Sequence, residues 1–168
     1  LGHALLFAGS EGIGKFMAAS WFLRGLFCEE GPGAPCGVCG ACRRVQAGSF
    51  GDAFVIDAEA EGSERIAVGR IARRGSDGGV CLEEILALRA AEGGWRGVII
   101  RDIERATLEA QNALLKTLEE PGEACCLVLV SAHPGRLLET VRSRCVRVAF
   151  EAPDRESCAR VLEQAGLA

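Results

Sequence analysis

Short apolar runs and stretches of helical period alternate along the chain. Ala4–Ala8 (ALLFA), Phe54–Asp57 (FVID), Val98–Ile100 (VII), Cys126–Val130 (CLVLV) and Val146–Phe150 are brief and almost entirely apolar. The first and third of these suit buried strands of a parallel sheet, and the others read as further short strands. Between them, Lys15–Phe27 carries Met17, Ala18, Trp21, Phe22 and Leu26 at helical spacing. Leu82–Ala91 predicts a second helix, and Thr107–Glu120, stopped before Pro121, a third. Leu108, Leu114, Leu115 and Leu118 predict its core-facing stripe. Glu61–Gly79 is charged and interrupted by glycines, which predicts an exposed excursion, and a further helix is expected from Pro153. Strands alternating with helices predict an α/β fold with a parallel sheet.

The chain has 168 residues, enough for one full core or for one domain and the start of another. It is 49% hydrophobic and 25% charged, a globular composition. A net charge of −4 argues against autonomous nucleic-acid binding, so contact with DNA is expected only locally or through an assembly. No apolar run approaches the roughly 18 residues of a membrane span, and no membrane association is expected. Leu1–Ala8 lacks the basic lead and cleavage site of a signal peptide. The sequence begins without methionine on a strand-like run, so a native N-terminal segment is expected to precede it. Nine cysteines, an odd number without an export signal, point to a reducing cytoplasm. Cys81, Cys125, Cys126, Cys145 and Cys158 are expected to be core thiols.

Residues 9–16, GSEGIGKF, follow the first strand and open the first helix. Gly9, Gly12, Gly14 and Lys15 carry the chemistry of a phosphate-binding loop. Glycines permit the tight curl, backbone N–H groups face the oxyanions, and the lysine adds positive charge. An ordinary glycine turn is the alternative, and the flanking strand and helix favour the phosphate loop. Where such a loop carries a magnesium-binding hydroxyl, this sequence has Phe16. The next strand end, where an aspartate is expected to serve the metal, reads Val98-Ile99-Ile100-Arg101-Asp102-Ile103-Glu104. Arginine neutralises phosphate charge but ligates no cation. Two losses point the same way: ATP or ADP is expected to bind weakly or not at all, without hydrolysis.

Cys28, Cys36, Cys39 and Cys42 lie within 15 residues, with Gly37 and Gly40 between them. Four thiolates in closely spaced C-x2-C pairs suit a closed structural zinc site. Iron–sulfur ligation and unliganded thiols are the alternatives; the phosphate loop alongside and the lack of a redox motif favour zinc.

NALLKTLEEP (112–121), with HALLF (3–7), the phosphate loop, the four-cysteine module and SRC (143–145), resembles the clamp-loader ATPases of bacterial DNA polymerase III. The resemblance runs over residues 3–150 in the family's order. It implies an AAA+ nucleotide-binding-like domain over 1–150, with helices flanking the parallel sheet and a zinc module inserted at about 28–42. Residues 151–168 are then the start of a helical lid domain. It implies partners: other clamp-loader subunits (gamma/tau and delta), the sliding clamp indirectly, and primer-template DNA through the assembly. Counted back from Asn112, the family's Asp-Glu pair falls on Arg101 and Asp102. With Phe16, this resembles the delta-prime type, a non-hydrolysing stator, more than the ATP-hydrolysing gamma/tau type. Ser131 falls at the family's phosphate-sensing position, although a serine ending a strand accounts for it equally. Arg144 matches the SRC arginine, which implies a finger reaching the ATP of an adjacent subunit; for Arg142 and Arg147 a solvated surface role is expected. Glu119 and Glu120 close the predicted third helix, where the macrodipole disfavours anions, so a basic neighbour or a partner subunit is expected to compensate them.

Overall fold

The computed structural model describes residues 3–73, 80–92, 94–152 and 154–164. In chain order the elements are β1 (Ala4–Gly9), α1 (Lys15–Leu26), α2 (Gly40–Gln46), β2 (Ala53–Ile56), α3 (Leu82–Ala87), β3 (Arg96–Ile100), α4 (Leu108–Glu119), β4 (Cys125–Ser131), α5 (Glu139–Arg142), β5 (Val146–Phe150) and α6 (Arg155–Gln164). Single 3-10 turns lie at Val68–Arg70, Ile103–Arg105 and Pro134–Arg136.

The five strands form one parallel sheet in the order β2-β3-β4-β1-β5. Alternating side chains divide the interior in two, because successive strand residues face opposite ways. On one face Leu6, Ile56, Val98, Ile100 and Leu129 pack with Leu114 and Leu118 of α4. On the other, Phe7, Ile99 and Val128 pack with Ala19 and Leu23 of α1 and Ala41 of α2. Gly97 lets α1 approach β3; a Cβ there would stand 2.8 Å from Leu23 Cδ2. β1 is flanked by β4 and β5, so the loop leaving it emerges at the carboxyl edge of the sheet, where ligands of open α/β sheets sit.

The expected α/β fold and parallel sheet are present, with local corrections. α3 ends at Ala87 rather than Ala91. Arg96 Nη1 donates to the Ile85 carbonyl at 2.6 Å and Nη2 to that of Arg89, while Asp52 accepts the Ala91 and Glu92 N–H groups at 2.8 and 2.7 Å. A long-range ion pair thus takes the backbone groups that a longer helix needs. Glu61–Gly79 is not wholly an exposed excursion: Ile66 and Ile71 are each 1% exposed. Ile66 forms a parallel bridge with Ala106, its N–H donating to Arg105 O and its carbonyl accepting from Thr107 N–H. Positions 74–79 of that stretch lie outside the described residues. Leu108 is 59% exposed, not core. It stands two residues before buried Ala110, and about 200° of helical rotation places it on the opposite face. Cys158 is exposed and Cys145 partly so, whereas Cys81, Cys125 and Cys126 are buried. Pro153, the expected start of the last helix, lies outside the described residues. Among the described residues no helix is long and apolar enough to cross a membrane.

Candidate functional site

At the end of β1 the chain curls through Gly12 (φ 75°) and Gly14 (φ 92°), left-handed conformations that strain any other residue, before α1 begins at Lys15. Gly9 is required for a different reason: a Cβ there would lie 2.3 Å from the Phe150 carbonyl oxygen of β5. The buried Lys15 side chain folds onto its own loop, Nζ donating to Gly9 O at 2.8 Å and Ser10 O at 2.7 Å. The loop borders a cleft of about 330 Å³ that Phe16, Arg101 and Asp102 also line.

The tertiary structure joins the two residues that depart from the ATPase pattern. The Arg101 guanidinium lies over the Phe16 ring, 5.3 Å from its centroid. Its Nη1 donates to Asp57 Oδ2 at 2.9 Å, and its Nε is 3.7 Å from Asp102 Oδ2. Asp102 has a left-handed backbone (φ 48°, ψ 49°), and burial pushes its carboxyl up from the ordinary aspartate range against the pull of Arg101. Ser131 pairs with Ala8 of β1 and is fully buried; its Oγ accepts the His133 N–H at 3.2 Å. Its neighbours Val130 and Ala132 line the cleft, and Ser131 does not. Glu104, which no motif singles out, accepts the Ala132 and His133 N–H groups through Oε1 at 2.8 and 3.1 Å and so holds the exit of β4 beside the cleft.

The second candidate site follows α1. The Sγ atoms of Cys28, Cys36, Cys39 and Cys42 all lie within 4.8 Å of one another. Tetrahedral zinc with bonds of about 2.3 Å places sulfurs a little under 4 Å apart, so the donor set fits a metal ion in number, type and spacing. Backbone N–H groups already point at the sulfurs: Cys36 N to Cys28 Sγ at 3.5 Å, Cys39 N to Cys36 Sγ at 3.4 Å and Cys42 N to Cys39 Sγ at 3.3 Å. The bond from the Cys36 N–H holds the Cys28 thiol below its usual range. Backbone donors at Glu29 and Cys42 bring Cys39 down to about 7, whereas burial pushes Cys42 up to about 11. Glu29 Oε1 braces the knuckle by accepting the Ala41 N–H at 2.9 Å, and Gly25 lets α1 touch it, since a Cβ would stand 2.0 Å from Gly33 O.

Arg144 is not among the residues lining this chain's cleft. It follows α5, half-exposed, with Nη1 donating to Thr140 O at 3.0 Å and Nη2 to Glu119 Oε1 at 2.6 Å. The compensating base expected for Glu119 at the end of α4 is therefore Arg144 itself. Arg142 and Arg147 are exposed.

A family model described as DNA polymerase III, delta subunit, matches residues 1–154. The chain belongs to this clamp-loader family. It is 37% identical over 152 residues to DNA polymerase III subunit delta' of Pseudomonas aeruginosa, covering 90% of this chain and 44% of that protein. It is 36% identical over 162 residues to subunit tau of Escherichia coli, covering 96% of this chain and 23% of that one. The chain thus spans less than half the length of these clamp-loader relatives. Among solved structures, a DNA polymerase III gamma subunit-related protein of Thermotoga maritima superposes with a TM-score of 0.63 at 23% identity, covering 96% of this chain and 46% of that one. The RuvB Holliday junction branch migration motor of Thermotoga maritima gives 0.55 at 16% identity, covering 98% and 43%. The fold is of the AAA+ type that the clamp-loader family implies.

Proposed function

We propose that this chain is the AAA+ part of a delta-prime-like clamp-loader subunit, a stator that does not hydrolyse ATP and that lends Arg144 to a neighbouring ATPase subunit. The observation that carries the reading is the Arg101–Phe16 stack in the cleft. It puts a cation and a ring beside Lys15, where an active site needs a hydroxyl and a carboxylate for magnesium. The nearby carboxylates of Asp57 and Asp102 are both engaged with that guanidinium. Gly9, Gly12, Gly14, Lys15 and Asp102 are then the remnant of a nucleotide site, with ATP or ADP bound weakly or not at all, while Ser131 lies buried outside the cleft lining.

Arg144 acts elsewhere. Phosphoryl transfer spreads negative charge over the transferred group, and an always-charged guanidinium supplied in trans stabilises it without a catalytic site of its own. Arg144 is half-exposed and lies outside the chain's own cleft, as a residue serving another subunit must. Cys28, Cys36, Cys39 and Cys42 hold a structural zinc that leaves no coordination position open. The partners are gamma/tau and delta subunits, with the sliding clamp and primer-template DNA reached through the assembly, in the cytoplasm. Residues 1–150 form the nucleotide-binding-like domain, and 151–168 begin the lid.

The test is ATP turnover and clamp loading by the reconstituted loader containing the full-length protein. Arg144→Ala is expected to lower both while folding and metal content stay unchanged. Wild-type rates with that change refute the trans role. Steady ATP turnover by the full-length subunit alone, abolished by Lys15→Ala, returns a gamma/tau-like motor to first place.

A further inference from the structure

We propose that Glu119 is the positioning residue for Arg144, setting the plane in which the guanidinium is presented to the neighbouring subunit; this rests on the trans-arginine reading above. Glu119 is the last residue of α4, where the helix macrodipole disfavours a carboxylate. Its placement therefore does nothing for its own helix. What it does have is a 2.6 Å contact with Arg144 Nη2, across 25 residues of sequence.

A guanidinium carries five N–H donors in a rigid plane. Nη2 is held by a side chain of α4 and Nη1 by the Thr140 carbonyl of α5. Two anchors from two elements fix both the position and the plane of the group. They use two donors and leave three for a ligand outside the chain. With Thr140 alone, the long side chain keeps a single pivot about which the plane can turn. The contact is also at the surface, with side-chain exposures of 36% for Arg144 and 52% for Glu119, so its loss leaves the core untouched. Lys116, the basic residue in the last turn of α4, is engaged with Glu83 at 2.8 Å.

The experiment is a double-mutant cycle in the reconstituted loader containing the full-length protein, reading kcat and KM for ATP. Glu119→Ala is expected to lower kcat by about two- to fivefold, the range an exposed charged pair supplies, with KM unchanged. Glu119→Gln, which keeps an acceptor but not the charge, is expected to lose less. On an Arg144→Ala background Glu119→Ala is expected to change nothing further, and thermal unfolding is expected to match wild type. An equal loss on both backgrounds overturns the inference, because Glu119 then acts through the fold. No loss from Glu119→Ala while Arg144→Ala lowers kcat overturns the positioning role and leaves the trans-arginine reading standing. If Arg144→Ala itself changes nothing, both fall.

Discussion

The guanidinium of Arg101, at the end of β3, lies 5.3 Å from the ring centroid of Phe16, the second residue of α1. The two residues that depart from the ATPase pattern of the family are thus neighbours in the cleft. A cation over a phenyl face contributes roughly 0.5–1 kcal/mol at a partly exposed site, and the Asp57 carboxylate adds a charge-assisted hydrogen bond at 2.9 Å. Reverting one of the pair leaves the other in the cleft.

The full-length protein is therefore expected to bind nucleotide weakly, with no gain on adding magnesium, and to turn over ATP far more slowly than about 1 per second. Phe16→Thr alone is expected to leave both properties unchanged, because Arg101 still takes up Asp57 and Asp102. Magnesium-dependent binding is expected to need Arg101→Asp as well. Titration calorimetry with and without magnesium checks this, and a magnesium-dependent gain from Phe16→Thr alone contradicts it.

The four-cysteine cluster is expected to hold about one zinc per chain, measured by elemental analysis of protein purified under reducing conditions. Cys39→Ser is expected to lower the metal content and loosen the 28–42 module, read as faster amide exchange there, while the sheet stays protected. Iron in place of zinc, or well-folded protein with four free thiols and no metal, rejects the assignment.

Arg96 and Asp52 form a buried ion pair, 3.3 Å apart with side-chain exposures of 5% and 0%. Arg96→Ala removes the cation, leaves the carboxylate buried, and frees the Ile85 and Arg89 carbonyls. The expected cost is about 3–5 kcal/mol, read from the denaturation midpoint. Arg96→Lys is expected to fall between, since an ammonium lacks the planar fork that reaches Asp52 and both carbonyls. A cost below about 1 kcal/mol for Arg96→Ala would mean the pair is dispensable to the fold.

Leu118 and Leu108 lie on the same helix and differ in burial, at 2% and 59% exposed. Leu118→Ala is expected to cost about 2–5 kcal/mol, and Leu108→Ala to change stability by no more than about 0.5 kcal/mol. Equal losses in chemical denaturation would contradict the orientation of α4 described above.

What the sequence by itself determined was local. The strands follow from short apolar runs, the loop from glycines ahead of a lysine, and the limits of α4 from Thr107, which caps it through the Ala110 N–H, and Pro121 just beyond its end. The cysteine cluster was legible because its ligands are close in sequence, so chain geometry alone brings them near one another. Tertiary structure decided the rest. Asp52 and Arg96 are 44 residues apart, and their pairing ends α3 where helical period alone would continue it. Ile66 and Ile71 sit in a charged, glycine-broken segment whose burial depends on the bridge to Ala106. Arg101 meets Phe16 because the order β2-β3-β4-β1-β5 brings the ends of β3 and β1 to one edge. Arg144 meets Glu119 because α4 and α5 pack together on the same face of the sheet. Period and composition locate the elements; which residues they bury at their margins and which charges meet depend on how separate elements are stacked, and no local pattern encodes that.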